Sequence, residues 1–191
     1  MNTAEESLFH DKRIGFFIYL AVEAIMFLTL FATYFIFTPS SEGPHPSDIF
    51  DAKIVILSSI FLLSSSGTLY MAERQIRSQR LLAFAMWLAV TLLLGLVFLG
   101  FEVNEFGGFV KDGYGISVNS FLSSYYVLVG LHAAHVLFGC GWMLVLFIQL
   151  YFITTPKSLF AEKVKIFSYY WHFVDSVWVC IILIVYLPYL L

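Results

Sequence analysis

The sequence contains five long apolar segments, and their length limits the possible folds more than any other feature. They cover roughly residues 14–37, 54–72, 81–101, 120–152 and 166–191. A helix needs about 20 apolar residues to cross a bilayer, and the 191-residue chain is 60% hydrophobic with only 12% charged residues. Backbone groups in hydrocarbon must be hydrogen-bonded within the protein, which favours helices. The pattern predicts an all-α, polytopic membrane bundle of five transmembrane helices, formed by one domain over residues 1–191.

The positions of the basic residues predict the orientation of this bundle. Eight of the ten Lys and Arg residues lie at the N-terminus and in the second and fourth loops, whereas Lys53 and Lys111 lie on the opposite side. Because loops rich in Lys and Arg stay in the cytoplasm, we expect a cytoplasmic N-terminus and an outside C-terminus. The formal net charge of −3 shows no basic surplus, so no nucleic-acid partner is expected.

Five ionisable side chains lie inside the predicted spans: Glu23 in the first, His132 and His135 in the fourth, and His172 and Asp175 in the fifth. Such residues are costly in a membrane and are functional candidates that need partners. A rise of about 1.5 Å per residue places all five in one layer on the cytoplasmic side. We therefore predict a shared polar cluster, in one or two parts, with a proton-related role or only the structural role of joining helices.

Two local expectations follow from this list. His172 and Asp175 are three residues apart on one helix face, so the carboxylate can hydrogen-bond to the imidazole and fix its tautomer. Glu23 is expected to be buried and protonated at neutral pH, because an unpaired carboxylate is unfavourable in an apolar setting.

A second acidic pair, Glu102 and Glu105, lies where the third helix is expected to meet the outer interface. Carboxylates at an interface cost little. We interpret this pair as a solvated helix end.

Metal binding and independent catalysis find little support in the sequence. The three-residue spacing of His132 and His135 differs from that of zinc-protease helices, and a metal site would need Glu23, His172 or Asp175 as further ligands. There is no nucleophile elbow and no phosphate-binding glycine loop. A stand-alone proton or solute transporter is the alternative from another class, but the chain has neither inverted repeats nor helices interrupted by Gly and Pro.

Two segments carry a specific resemblance to a known family. The run from Tyr169 to Trp178, YYWHFVDSVW, resembles the last-helix signature of subunit III of the haem-copper oxidases, which is Tyr-Trp-His-Phe-Val-Asp followed by a Trp. The run from Gly130 to Gly139, GLHAAHVLFG, is similar to the family's Gly-x-His-x-x-His-Val-x-x-Gly segment.

Two further segments extend the resemblance over nearly the whole chain. Ala21, Val22 and Glu23 are similar to the family's helix with a buried carboxylate. The run from Glu102 to Phe106 stands where a Gln-x-x-Glu-Tyr-like segment is expected, with Glu where many relatives carry Gln. Long members of the family have seven helices, so the chain resembles the short, five-helix bacterial form that lacks the first two.

The resemblance implies an accessory subunit of a proton-pumping terminal oxidase in a bacterial plasma membrane. Such an oxidase reduces oxygen to water with electrons from cytochrome c or a quinol, and a relative that accompanies nitric oxide reductase is a further branch. The subunit itself is expected to hold no haem, copper or other metal. Those cofactors belong to its partners, namely the catalytic subunit I, subunit II and other small subunits. The resemblance also implies bound phospholipid, and support for proton uptake and for the stability of the catalytic subunit.

Overall fold

The computed structural model describes residues 3–38, 52–152 and 157–190, and within these ranges the regular structure is entirely helical. The helices are α1 (Thr3–Phe37), α2 (Ala52–Arg77), α3 (Leu81–Lys111), α4 (Ser120–Phe152) and α5 (Lys157–Ile181). Five helices in the described part of the chain are long and apolar enough to cross a membrane. The predicted all-α bundle is confirmed, whereas the cytoplasmic N-terminus stays a prediction.

Several helices extend beyond the apolar segments from which they are predicted. α3 continues past residue 101 to Lys111, and α5 begins at Lys157 rather than near residue 166. Helix continuation depends on backbone hydrogen bonds, and charged residues such as Lys and Glu are good helix formers. The extensions therefore place several charged side chains on helices, although hydropathy alone assigns these residues to loops.

α5 does not end as a regular α-helix. It continues through a π-helical turn (Ile182–Tyr186) into a last helical turn (Leu187–Leu190), and the Leu187 N–H bonds to the carbonyl of Ile182, five residues earlier. Pro188 follows at once and has no N–H to donate to the residue four positions before it. The wide turn lies where Tyr186 meets α4, with its hydroxyl 2.8 Å from that of Tyr125.

α5 lies at the centre of the bundle. α1 packs on α4 and α5, α2 packs on α3 and α5, and α3 packs on α4. Half of the most apolar part of α5 is buried, compared with 17% of the corresponding part of α1. Large apolar side chains on the other helices point outward, among them Ile36 and Leu82, as expected for a lipid-facing surface.

Two glycines create the slot that holds the fully buried Trp171 of α5. A Cβ at Gly139 on α4 would lie 2.5 Å from Cζ3 and 2.8 Å from Cε3 of the indole, and a Cβ at Gly95 on α3 would lie 3.0 Å from Cη2. Only a residue without a side chain lets the helix backbones approach the ring this closely. These glycines therefore set the distance of α3 and α4 from α5.

The slot gives a stability prediction with a matched control on the same helix. Gly139→Ala should push the Trp171 ring out of place and lower the free energy of unfolding by about 1–3 kcal/mol, the usual cost of overpacking a core. Gly141→Ala should have no such cost, because a Cβ at Gly141 meets no atom within 4 Å. Thermal midpoints of the two purified variants in detergent test this. Equal midpoints would show that the slot is not tightly packed.

Candidate functional site

Glu23 on α1 and His135 on α4 form one interhelical polar pair. Glu23 Oε2 lies 3.2 Å from His135 Nε2, and the two side chains are 17% and 13% exposed. His135 Nδ1 lies 2.8 Å from the carbonyl oxygen of Leu131, so Nδ1 carries a proton and donates it. A hydrogen bond between Nε2 and the carboxyl group needs a proton on one of the two atoms. Glu23 is thus partly buried and has a partner, as expected for an ionisable residue inside a span, whereas its protonation at neutral pH stays a prediction.

Ser66 on α2 joins the second pair of predicted residues. Its Oγ lies 2.9 Å from His172 Nδ1, and its hydroxyl donates to Asp175 Oδ2. A hydroxyl has a single proton, so when Ser66 donates to Asp175, His172 Nδ1 must donate to Ser66. The contact between His172 and Asp175 therefore runs through a residue on another helix. A direct hydrogen bond between the two does not occur in the described structure.

The structure keeps His132 apart from both groups. Its ring is fully buried and stacks on Trp178, with centroids 5.1 Å apart and planes at 20°. The Phe98 ring lies nearly perpendicular to the same imidazole, with centroids 5.9 Å apart. In the described part of the chain, neither ring nitrogen of His132 has a hydrogen-bond partner. His132 thus lies in the aromatic core, and the other four predicted residues form two separate interhelical groups.

The interpretation of Glu102 and Glu105 as a solvated helix end is wrong. The residues are 1% and 5% exposed, because α3 continues beyond them and turns both toward the bundle interior. They lie within electrostatic range of the buried hydroxyls of Tyr125 and Tyr186. The pair therefore belongs to a buried polar region between α3, α4 and the end of α5.

Sequence reasoning missed the serines that accept hydrogen bonds from the indoles of α5. Trp171 Nε1 donates to Ser65 Oγ at 2.8 Å, and Trp178 Nε1 donates to Ser59 Oγ at 3.1 Å. The many small polar residues of α2 are typical of close helix packing. Their presence alone does not indicate which of them faces an indole.

An ion pair between α1 and α5 was also missed. The Arg13 guanidinium binds the Glu162 carboxylate through two nitrogens. The available signal was that both helices begin on the same predicted side, with opposite charges near their starts. Arg13 contributes only to the predicted orientation of the bundle, and Glu162 lies in a segment that hydropathy assigns to a loop.

The described residues contain no group of three or more His, Cys, Asp and Glu side chains placed to hold a metal ion. The polar groups of the site instead connect helices of the same chain. Glu23 and His135 connect α1 to α4, and Ser66, His172 and Asp175 connect α2 to α5.

Comparison with known proteins gives a consistent result along the whole chain. The family model for cytochrome c oxidase subunit III matches residues 5–189. Cytochrome c oxidase subunit 3 of Alkalihalophilus pseudofirmus is 38% identical over 179 residues, which is 93% of this chain and 86% of the relative.

Two relatives with other names are equally similar. Cytochrome bo(3) ubiquinol oxidase subunit 3 of Pseudomonas aeruginosa is 38% identical over 177 residues, 91% of this chain and 83% of the relative. Quinol oxidase subunit 3 of Bacillus subtilis is 39% identical over 176 residues, 91% of this chain and 85% of the relative.

The spans and the relatives together show where this protein resides and what it is part of. Five of the described helices are long and apolar enough to cross a membrane, and the relatives are bacterial oxidase subunits. The chain is therefore a multi-pass protein of a bacterial plasma membrane and part of a respiratory oxidase complex. With two interhelical polar groups built from its signature residues and a family match from residue 5 to 189, the chain belongs to the subunit III family of the haem-copper oxidases.

Proposed function

We propose that this chain is the accessory subunit III of a proton-pumping terminal oxidase that takes electrons from cytochrome c and reduces oxygen to water. The observation that supports the accessory role is that the tryptophans of the α5 signature form hydrogen bonds within this chain. Both indole N–H groups, Trp171 to Ser65 and Trp178 to Ser59, are bound by α2 of the same chain. Side chains that are committed to internal contacts of this kind stabilise a bundle and are not available to a substrate.

In this proposal haem and copper are held by the catalytic subunit I and its partners. The contacts of His135 support this assignment, because both of its ring nitrogens bond within the chain, to Glu23 and to the Leu131 carbonyl. A haem ligand needs a ring nitrogen that is free to bind the iron.

We assign a structural role to the two polar groups first. Each connects helices that are far apart in sequence, α1 with α4 and α2 with α5. An interhelical hydrogen bond inside a membrane contributes about 1 kcal/mol. The proton that Glu23 and His135 share gives the second candidate, a proton-related role, because such a pair can exchange a proton without a large change of net charge.

A quinol is the second candidate for the electron donor of the complex. It is favoured by the relatives in Pseudomonas aeruginosa and Bacillus subtilis, whose names specify quinol oxidases at the same level of identity as the cytochrome c oxidase relative. The donor would bind other subunits, so the complex has to be tested as a whole.

Bound phospholipid is the remaining part of the proposal, and a groove between α3 and α4 is suited to it. The groove has a volume of about 560 Å³ and is lined by Leu96, Leu99, Gly100, Val103, Asn104, Gly107, Lys111 and Leu137. The apolar side chains that line it are suited to contact with an acyl chain. Lys111 and Asn104 lie toward the predicted outer interface, where an anionic headgroup would be attracted to the ammonium group.

The proposed function predicts the composition of the purified complex. The chain, tagged in its host and extracted in mild detergent, should co-purify with a multi-span catalytic subunit and show haem bands in the reduced-minus-oxidised spectrum. Oxygen consumption should be sustained by reduced cytochrome c. Consumption only with a quinol would change the donor, and a colourless protein without partners would refute the oxidase assignment.

The Glu23 pair separates the structural role from the proton-related role. Glu23→Gln keeps a donor that can reach His135 Nε2, so a structural role predicts near-normal retention of the subunit in the complex. Glu23→Ala removes the contact, and its cost of about 1 kcal/mol should lower retention roughly fivefold.

Proton uptake by the complex, measured with the same two variants, tests the proton-related role of the pair. If Glu23→Gln is retained normally but proton uptake is slowed, the pair has a proton-related role and the structural assignment fails. The ratio of subunit III to catalytic subunit on gels provides the retention value for each variant.

The lipid proposal predicts a loss of anionic phospholipid when Lys111 is neutralised. Lys111→Gln should reduce the anionic lipid that co-purifies with the complex roughly fivefold at that site. Lys53→Gln is the control, since Lys53 is on the same predicted side but outside the groove. Lipid extraction and mass spectrometry provide the measurement, and equal lipid content in both variants would reject the groove as the binding site.

A further inference from the structure

α3 carries two carboxyl groups on the stripe of residues that it buries in the bundle. Glu102 and Glu105 are three residues apart on one helix face, and they are 1% and 5% exposed. Phe98 and Phe109 are the buried residues on either side of them along the same helix. The two acids therefore occupy positions at which the neighbouring turns of α3 place aromatic rings.

The surroundings of Glu102 do not suit a negative charge. Its Oε2 is buried and has no hydrogen-bond partner in the described structure. The charge that acts on Glu102 is that of Glu105, another acid. Like charges at one buried site repel, and an ionised carboxyl group in an apolar setting is far more costly than a neutral one. At least one of the two carboxyl groups therefore holds a proton.

The titratable groups that α4 and the end of α5 contribute are phenols. Tyr125 and Tyr186 are fully buried, and their hydroxyl oxygens lie 2.8 Å apart. Both lie within electrostatic range of both carboxyl groups, and Tyr126 lies within range of Glu105. A phenol can donate a hydrogen bond but supplies no positive charge. The charge of Glu102 is therefore removed by a proton on the carboxyl group itself.

We infer that Glu102 is a proton-binding site of the bundle, where the carboxyl group holds a resident proton at neutral pH and is neutral in the folded chain. Glu102 is assigned as the holder because it is the more deeply buried of the two acids. The loss of hydration that disfavours the charged form is therefore greatest at this residue.

The site lies where α5 is least regular. Tyr186 is the last residue of the π-helical turn Ile182–Tyr186, and turns of this kind occur frequently at functional positions. Loss of the proton would leave a negative charge among buried aromatic rings, where it lacks solvation. The resident proton therefore keeps α3 and α4 packed against the end of α5.

Carbon-13 NMR of the full chain, labelled at the glutamate carboxyl carbon and purified in detergent, measures the protonation state directly. Glu102→Gln identifies the Glu102 signal by its loss. Glu162 provides the ionised reference, because its carboxylate binds the Arg13 guanidinium through two nitrogens. At neutral pH the Glu102 signal should lie at the position of a protonated acid. A Glu102 signal at the position of the Glu162 carboxylate overturns the inference.

The pH dependence of unfolding is a second, independent test. The unfolded chain releases the Glu102 proton above about pH 5, whereas the folded chain keeps it. Stability therefore falls as the pH rises through the range in which only the folded chain holds the proton, by up to about tenfold in the unfolding constant per pH unit. Glu102→Gln, which is neutral at every pH and close in size to a protonated Glu, should accumulate normally and lack this part of the dependence.

The comparison is made by equilibrium unfolding in mixed detergent micelles from about pH 5 to about pH 8. Groups that titrate elsewhere are common to both chains, so the ratio of their unfolding constants isolates the Glu102 proton. Asp112→Asn is the control, because Asp112 is an exposed acid at the end of the same helix, and it should follow the wild-type curve. The inference fails if the ratio is constant across this range, or if Glu105→Gln removes the dependence and Glu102→Gln does not.

Discussion

Two indole N–H groups on α5 need acceptors in a region without water, and α2 supplies both. Trp171 donates to Ser65 and Trp178 to Ser59. Because an unsatisfied donor in hydrocarbon costs several kcal/mol, these two bonds fix the sliding position and the rotation of α2 against α5. The rest of the structure uses that alignment. Ser66 then lies opposite His172 and Asp175, and the Trp171 ring enters the slot formed by Gly95 and Gly139.

α1 is joined to this core in a different way. It contributes the Glu23 and His135 pair, the Arg13 and Glu162 ion pair, and ring contacts such as Phe17 with Tyr169 at 5.1 Å. Most of its surface is exposed and apolar. The bundle thus consists of a closely packed centre around α5 and a helix attached to one side.

The number and type of the helices could be predicted because each span is long and strongly apolar, whereas the polar contacts depend on rotation and register that hydropathy does not specify. Ser65 and Ser66 are adjacent residues of similar chemistry, yet one accepts from an indole and the other bridges His172 and Asp175. His132 looked like a member of a polar cluster, but its rotation on α4 turns it into the aromatic core. Glu102 and Glu105 were misplaced because the apolar segment ends at residue 101, although α3 itself does not.

An experimental structure of the intact oxidase, purified from its native membrane, tests the account most directly. The account predicts that this chain lies against the catalytic subunit, and that Trp171 and Trp178 keep their hydrogen bonds to Ser65 and Ser59 inside the bundle. A complex in which either indole N–H instead bonds to a partner subunit would contradict it.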